Sequence, residues 1–206
     1  MTLDEALAEC PVAAILRGVT PEEIEAVAGA LFSAGVRVVE IPLNSPRPLE
    51  SLRRLVAAFG DRMVCGSGTV LTTDEVEAVA AAGGTLVVSP NTDPGVITRT
   101  RALGLEPVPG FATASEAFAA LAAGARHMKL FPAATYGPGH LGQLRAVLPP
   151  DIQVWAVGGV GAESVASWRA AGAAAFGIGS DLYRPGFSAE AVGDRTRSLL
   201  KAIEVA

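Results

Sequence analysis

The chain has 206 residues, a formal net charge of −5, a pI of about 5.1 and a hydrophobic fraction of 50%. The acidic balance argues against nucleic acid as a partner, and this much apolar sequence argues against disorder. The length predicts one domain that spans residues 1–206.

In chain order, a short helix over residues 2–9 comes first, with Thr2 as its cap and Glu5 at the capping-box position. Apolar strand patterns then alternate with helical patterns. The strands are predicted at residues 12–16, 36–41, 63–66, 86–89, 106–109, 126–132, 153–157 and 174–178. The following helices are predicted to begin at Thr20, Ser45, Thr73, Asp93, Thr113, Pro138, Gly161 and Ser188.

Eight strands that are each followed by a helix predict a parallel sheet, and eight such units predict a closed (β/α)₈ TIM barrel. The alternative is an open doubly wound sheet. No glycine-rich dinucleotide fingerprint follows the first strand, which favours the barrel. The predicted fold class is therefore α/β, a (β/α)₈ barrel with a short N-terminal helix.

Metal, redox and membrane chemistry have little support in the sequence. Cys10 and Cys65 lie far apart, and His127 and His140 are too few for a histidine-rich metal site. The apolar runs have strand length, and the N-terminus is too acidic for a signal peptide. We therefore expect no metal, no cofactor and no membrane partner, and a cytoplasmic location.

The sixth predicted strand carries a lysine in an apolar setting. Alternation places Met128 and Leu130 on one face and His127, Lys129 and Phe131 on the other. The chain has two lysines, the other being Lys201, against fourteen arginines, so arginine is its usual cation. A buried lysine can lose its proton and attack a carbonyl, whereas arginine cannot. Lys129 is therefore either a Schiff-base nucleophile or a lysine whose head reaches solvent along a packed stem.

Other polar residues follow the strands at the end where TIM barrels carry their active sites. These residues are Arg17, Glu40, Asn44, Ser45, Ser67, Thr69, Ser89, Asn91, Gly158, Gly159, Gly179 and Ser180. Glu40 is expected to face the interior, either as an ion-pair partner of Arg17 or Lys129 or as a general acid–base. Phe131 either ends its strand or lines the substrate site beside Lys129.

The last two strands end in glycine pairs, Gly158-Gly159 and Gly177-Ile-Gly179-Ser180. TIM barrels often bind phosphate there through loop amides. The glycines are interpreted either as a phosphate site or as tight turns.

Seven motifs together resemble the class I 2-keto-3-deoxy-6-phosphogluconate and -galactonate aldolases. They are Arg17-Gly18, Glu40-Ile-Pro-Leu-Asn-Ser-Pro46, Gly66-Ser-Gly-Thr69, Ser89-Pro90, Lys129-Leu-Phe-Pro132, Val157-Gly-Gly-Val160 and Gly179-Ser180. The resemblance spans nearly the whole chain in order, and it implies a metal-free barrel that is usually a homotrimer.

The same resemblance implies roles for individual residues. Lys129 matches the Schiff-base lysine, Glu40 the acid–base and Arg17 the arginine that meets the substrate. Residues matching the pyruvate end are Thr69 and Pro90, and those matching the phosphate loops are Gly159 and Ser180. Val157 stands where the gluconate branch carries threonine, so the galactonate branch is favoured.

The expected reaction is therefore the cleavage of 2-keto-3-deoxy-6-phosphogalactonate into pyruvate and glyceraldehyde 3-phosphate. The gluconate epimer or a broader range of 2-keto acids is the alternative within the family. Outside it, a phosphosugar isomerase, a synthase barrel or a non-catalytic binder would keep the phosphate site without using Lys129 as a nucleophile.

Overall fold

The computed structural model describes residues 1–204 of the chain. Nine strands pair in parallel throughout one sheet. They are β1 Val12–Ile15, β2 Val38–Pro42, β3 Val64–Gly68, β4 Leu86–Val88, β5 Glu106–Val108, β6 Gly110–Phe111, β7 His127–Leu130, β8 Gln153–Val157 and β9 Ala175–Ile178. Their order is β5-β4-β3-β2-β1-β9-β8-β7-β6.

The barrel closes at the fifth predicted strand, which is two short strands instead of one. Only Pro109 separates β5 from β6, and these two are the opposite ends of the sheet order. β5 pairs with β4, whereas β6 pairs with β7. Proline has no N–H to donate to a ladder, but its carbonyl accepts a hydrogen bond from the Lys129 N–H at 2.9 Å. The prediction of a (β/α)₈ barrel is therefore confirmed, with one strand broken at the seam.

The structure places ten helices around the sheet within residues 1–204. They are α1 Leu3–Glu9, α2 Ile24–Ala34, α3 Pro48–Phe59, α4 Thr73–Ala81, α5 Pro94–Ala102, α6 Ala114–Ala122, α7 Ala133–Tyr136, α8 Pro138–Arg145, α9 Val165–Ala170 and α10 Ala189–Glu204. Capping boxes begin α1, α4 and α6, where a threonine side chain and a glutamate three residues later bond reciprocally to the backbone. The capping box predicted at Thr2 is thus confirmed.

Three predicted helix starts are wrong, and the one at Gly161 is among them, because α9 begins at Val165. α2 begins at Ile24, because the Glu23 carboxylate accepts hydrogen bonds from the Thr20 and Tyr183 hydroxyls instead of capping the backbone. α3 begins at Pro48, since Ser45 is used elsewhere: its hydroxyl accepts the Gly18 N–H. Both side chains are engaged by contacts distant in sequence, which a local capping pattern does not reveal.

The fold has two apolar cores, one inside the barrel and one between the sheet and the helices. The inner core includes Val38 of β2, Val64 of β3, Leu86 of β4, and Trp155 and Val157 of β8. Leu3 and Ala6 of α1 belong to the same cluster, so the N-terminal helix covers one end of the barrel. No helix within residues 1–204 is long and apolar enough to cross a membrane.

Candidate active site

A small cavity inside the barrel brings Lys129 and Glu40 together. It has about 10 Å³ of free space, close to what one water molecule needs. The side chains and backbone that line it are those of Ala13, Ile15, Glu40, Val88, Lys129, Trp155, Val157 and Gly177. Both side chains are predicted to face the barrel interior, and in the structure they line the same cavity.

Glu40 lies on β2 with 4% of its surface exposed, inside an apolar wall. Its Oε2 atom is buried and has no hydrogen-bond partner among the residues that the structure describes. Burial raises the pKa of Glu40 to about 7, an effect that the positive charges of Lys129 and Arg17 oppose. A buried, unpaired carboxylate oxygen is costly to keep, so it indicates a group that is meant to meet a ligand or a water.

Room for that carboxylate is provided by a glycine on the neighbouring strand. A Cβ atom on Gly68 would lie 2.0 Å from Glu40 Oε2, which no real contact allows. Any larger residue at 68 would displace the carboxylate. The only feature of the sequence that points to Gly68 is its position within the Gly66-Ser-Gly-Thr69 motif.

Lys129 lies on β7 with 6% of its surface exposed. Burial lowers its pKa to about 8, Glu40 opposes this shift, and Arg17 adds to it. Within residues 1–204, no ion pair joins Lys129 to Glu40. The ammonium group lies 4.9 Å from the ring centroid of Phe131, within cation–π distance. The amine is therefore held by weak contacts, which leaves it free to react.

Arg17 follows β1 at the exposed rim of the same site. Its Nη1 atom donates to Asn44 Oδ1 at 2.6 Å. The next residue, Gly18, donates its N–H to Ser45 Oγ at 3.0 Å. The loop after β2 thus fixes both the side chain and the backbone at the start of the loop after β1.

Thr69 and Pro90 follow β3 and β4, and both are partly exposed at this end of the barrel. Thr69 has a φ of 58°, a left-handed conformation that is rare for a β-branched residue. Such outliers cluster at functional sites. Nothing in the sequence around Thr69 predicts this backbone conformation.

The glycine loops after β8 and β9 differ in why they contain glycine. Gly158 and Gly159 have φ values of 97° and 72°, which only glycine adopts readily. A Cβ on Gly179 would make only ordinary contacts, the nearest being Ile15 Cβ at 3.8 Å. The backbone turn explains why residues 158 and 159 are glycines. The fold alone does not require a glycine at position 179, next to Ser180.

The matching of the chain to known proteins agrees with this geometry. The family model for KDPG and KHG aldolases matches residues 3–194. The chain belongs to this aldolase family. It is 48% identical over 192 residues to the 2-dehydro-3-deoxy-6-phosphogalactonate aldolase of Escherichia coli K12, which covers 93% of this chain and 94% of the relative.

Solved structures give the same result for the fold. One, described as native KDPGal, has a TM-score of 0.94 and 47% identity, and the match covers 96% of each chain. Another is a cube-shaped protein cage designed by fusing symmetric oligomeric domains, with a TM-score of 0.93 and 48% identity. That match covers 95% of this chain and 72% of the cage chain. The predicted family and its galactonate branch are therefore confirmed.

The aldolase has no group of three or more histidine, cysteine, aspartate or glutamate residues placed to hold a metal within residues 1–204. His127 is buried beside Trp155 of the inner core, whereas His140 is partly exposed and bonds to the Ala112 carbonyl. Cys10 and Cys65 are both buried and free.

We expect Lys129→Met to stabilise the aldolase fold at pH 7. The pKa of Lys129 falls from 10.5 to about 8 on folding, so its cost to stability is fully present below pH 8. That cost fades as pH rises towards 10.5. The gain of the variant in free energy of unfolding should therefore be largest near pH 7 and smaller at pH 10, as measured by urea titration.

Lys201→Met is the matched control, because Lys201 is exposed on α10 and makes no contact with the cavity. Its effect on the free energy of unfolding should be small at both pH values. A Lys129→Met protein that is destabilised at pH 7, or whose gain does not depend on pH, would contradict the burial argument.

Proposed function

We propose that this chain is a Schiff-base aldolase that cleaves 2-keto-3-deoxy-6-phosphogalactonate to pyruvate and glyceraldehyde 3-phosphate. The observation that carries the proposal is the shared cavity of Lys129, whose pKa falls to about 8, and Glu40, whose pKa rises to about 7. The name of the relative from Escherichia coli supports the substrate.

The first step is attack of the neutral Lys129 amine on the C2 ketone of the substrate. With a pKa of about 8, roughly a tenth of the amine is neutral at pH 7, against less than about one part in a thousand at the ordinary value. The carbinolamine then loses water and leaves an iminium between Lys129 Nζ and C2. The positive iminium is the electron sink for the bond that breaks.

Glu40 is proposed as the acid–base. Acting through a water, its carboxylate takes the proton of the C4 hydroxyl, the C3–C4 bond breaks, and its electrons form the enamine of pyruvate. Glyceraldehyde 3-phosphate leaves as the aldehyde. Glu40 then returns the proton to C3, and hydrolysis of the iminium frees pyruvate and restores Lys129.

The remaining residues are proposed to bind the substrate. Arg17 would offset its negative charge from the rim. The pyruvate end would contact Thr69, Pro90 and Phe131, and the phosphate would meet the loops at Gly158, Gly159, Gly179 and Ser180. The unneeded glycine at 179 favours close approach of an anion there. No step in this scheme uses a metal or a cofactor.

Three further properties are proposed for the whole protein. The chain acts as one catalytic domain over residues 1–206, it assembles as a homotrimer, and it works in the cytoplasm. The continuous nine-stranded sheet supports the first. The cage built from symmetric oligomeric domains supports assembly into an oligomer. Cys10 and Cys65, which are both buried and free, support the third, because cysteines stay reduced in the cytoplasm.

Lys129 should be the site of Schiff-base formation. Treatment with pyruvate and borohydride, followed by digestion and mass spectrometry, should locate one reduced adduct on Lys129. Lys129→Arg should be as inactive as Lys129→Ala, because a guanidinium keeps its proton. Lys201→Arg is the matched control and should trap pyruvate as the wild type does. An adduct on Lys201 alone, or none, would exclude this mechanism.

Glu40→Gln should separate imine formation from proton transfer. The variant loses the acid–base and should lose about 10²–10⁴-fold in activity. Exchange of the pyruvate methyl protons with deuterated water, followed by NMR, should fall in parallel. Trapping by borohydride should persist, because removing the Glu40 charge lowers the pKa of Lys129 further. Unchanged exchange in the variant would move the base elsewhere.

Val157→Thr should shift the preference between the two C4 epimers. Val157 lines the cavity with Lys129 and is 4% exposed. Its methyl groups offer no partner to a substrate hydroxyl, and an unpaired hydroxyl costs about 1–3 kcal/mol. Threonine should therefore raise kcat/KM for the gluconate epimer by about one to two powers of ten.

The measurement is kcat/KM of both proteins on both epimers. The wild type should prefer the galactonate substrate, and the ratio should move towards gluconate chiefly by gain on that substrate. A wild type that already prefers gluconate would make the gluconate reaction the better proposal. An unmoved ratio would remove Val157 from the specificity argument and leave the aldolase proposal intact.

A further inference from the structure

A buried aromatic pair lies next to Lys129 in the barrel. His127 precedes Lys129 by two residues on β7, so both point to the same inner face. Trp155 is the direct partner of Lys129 on β8, and its side chain lines the cavity. Trp155 and His127 are 1% and 4% exposed. The mechanism above gives neither residue a role.

These residues form a hydrogen-bonded chain that ends on the N-terminal helix. The indole Nε1–H of Trp155 donates to His127 Nδ1 at 3.3 Å. His127 Nε2 lies 3.1 Å from Asp4 Oδ1 on α1. An indole can only donate, so Nδ1 must be the acceptor and the ring proton sits on Nε2, directed at the carboxylate. One tautomer of a neutral His127 thus satisfies both contacts.

The chain holds the indole in one orientation. The imidazole and indole rings meet edge to face, with centroids 5.9 Å apart, a favourable aromatic geometry. Trp155 is among the largest fully buried side chains of the protein. Because it pairs with Lys129 across the ladder and lines the cavity, Trp155 forms part of the wall beside the amine.

We propose that Trp155 is a positioning residue for the Lys129 amine, held in place through His127 by Asp4 of the N-terminal helix. The inference rests on the proposed Schiff-base function, because it assigns Trp155 an effect on imine formation. In this arrangement α1 closes the barrel and also fixes the wall of the reactive cavity. Loosening the indole lets water in and restores the amine towards its ordinary basicity.

The state of His127 matters to this link. Protonation would place a hydrogen on Nδ1 and remove the acceptor that the indole uses. Burial lowers the pKa of His127, and the charges of Asp4 on α1 and Glu106 on β5 oppose that shift. With the pKa below its usual value, the ring stays neutral at neutral pH and the contact to Trp155 is kept.

The test is the rate of pyruvate trapping by borohydride as a function of pH. Trp155→Phe keeps an aromatic ring but removes the N–H. We expect the midpoint of the trapping profile to move up by about half to one pH unit. The rate at pH 7 should then fall about three- to tenfold, while the rate at pH 10 changes less than about twofold.

Matched variants separate positioning from general damage. Asp4→Ala cuts the chain at its far end and should move the midpoint in the same direction. Glu9→Ala removes the Arg37 ion pair from the other end of α1 and should leave the midpoint unchanged. His127→Asn keeps an acceptor near Nδ1, so its midpoint should lie closer to wild type than that of His127→Leu.

The hydrogen bond itself can be checked by NMR without any activity. The protein has two tryptophans, so two indole N–H signals are expected, from Trp155 and Trp168. Asp4→Ala should shift the Trp155 signal, identified through Trp155→Phe, and leave that of Trp168 in place.

The possible outcomes distinguish the positioning role of Trp155 from the proposed function. A wild type that traps pyruvate, with Trp155→Phe and Asp4→Ala lowering only the melting temperature, would overturn this inference alone. If Trp155→Phe is too unstable for the trapping assay, the NMR shift in Asp4→Ala is the deciding measurement, and an unmoved Trp155 signal there would also overturn the inference. A wild type that traps no pyruvate would overturn the proposed function and this inference together.

Discussion

The proposed aldolase chemistry depends on one constraint: the side chains of Glu40 and Lys129 share a small buried cavity without forming an ion pair. Glu40 has a pKa of about 7 and Lys129 one of about 8. Moving a proton from lysine to glutamate therefore costs much less free energy here than it does between the same two groups in water. Burial supplies this change, because desolvation disfavours both charged forms. A direct ion pair would restore both charges and remove the neutral amine.

The barrel makes this arrangement possible because each charge is held by a strand and not by a loop. β2 and β7 carry the two groups, and the parallel ladders on either side fix their positions. Glycines then set the space: Gly68 accommodates the Glu40 carboxylate, and a Cβ on Gly177 would lie 2.7 Å from Val157. The stability lost at the cavity is offset by two apolar cores, one on each face of the sheet.

The sequence was enough to predict the features that depend on local pattern. Alternation placed Lys129 inward, and capping residues marked Thr2 and Thr113 as helix starts. Local pattern gave wrong predictions where a residue makes a contact that is distant in sequence. Glu23 bonds to Tyr183 instead of capping a helix, and the strand around Pro109 is broken into β5 and β6, which pair with different neighbours. A tryptophan in an apolar strand predicts only a core side chain, so the sequence alone does not predict a positioning role for Trp155. The contacts of the Trp155 indole with His127, and of His127 with Asp4, join residues that are far apart in sequence and become visible only in the structure.

The structure shows which glycines of the two loops support a phosphate site and which are explained by the backbone turn. Two glycine pairs at the ends of neighbouring strands predict a phosphate site, yet the φ values of Gly158 and Gly159 already require glycine for the turn. Those two residues therefore add little evidence for a ligand. Gly179 has space for a methyl group and a φ outside the left-handed region. Its lack of a side chain has no use in the fold itself, so it is Gly179, beside Ser180, that carries the argument for an anion approaching the backbone.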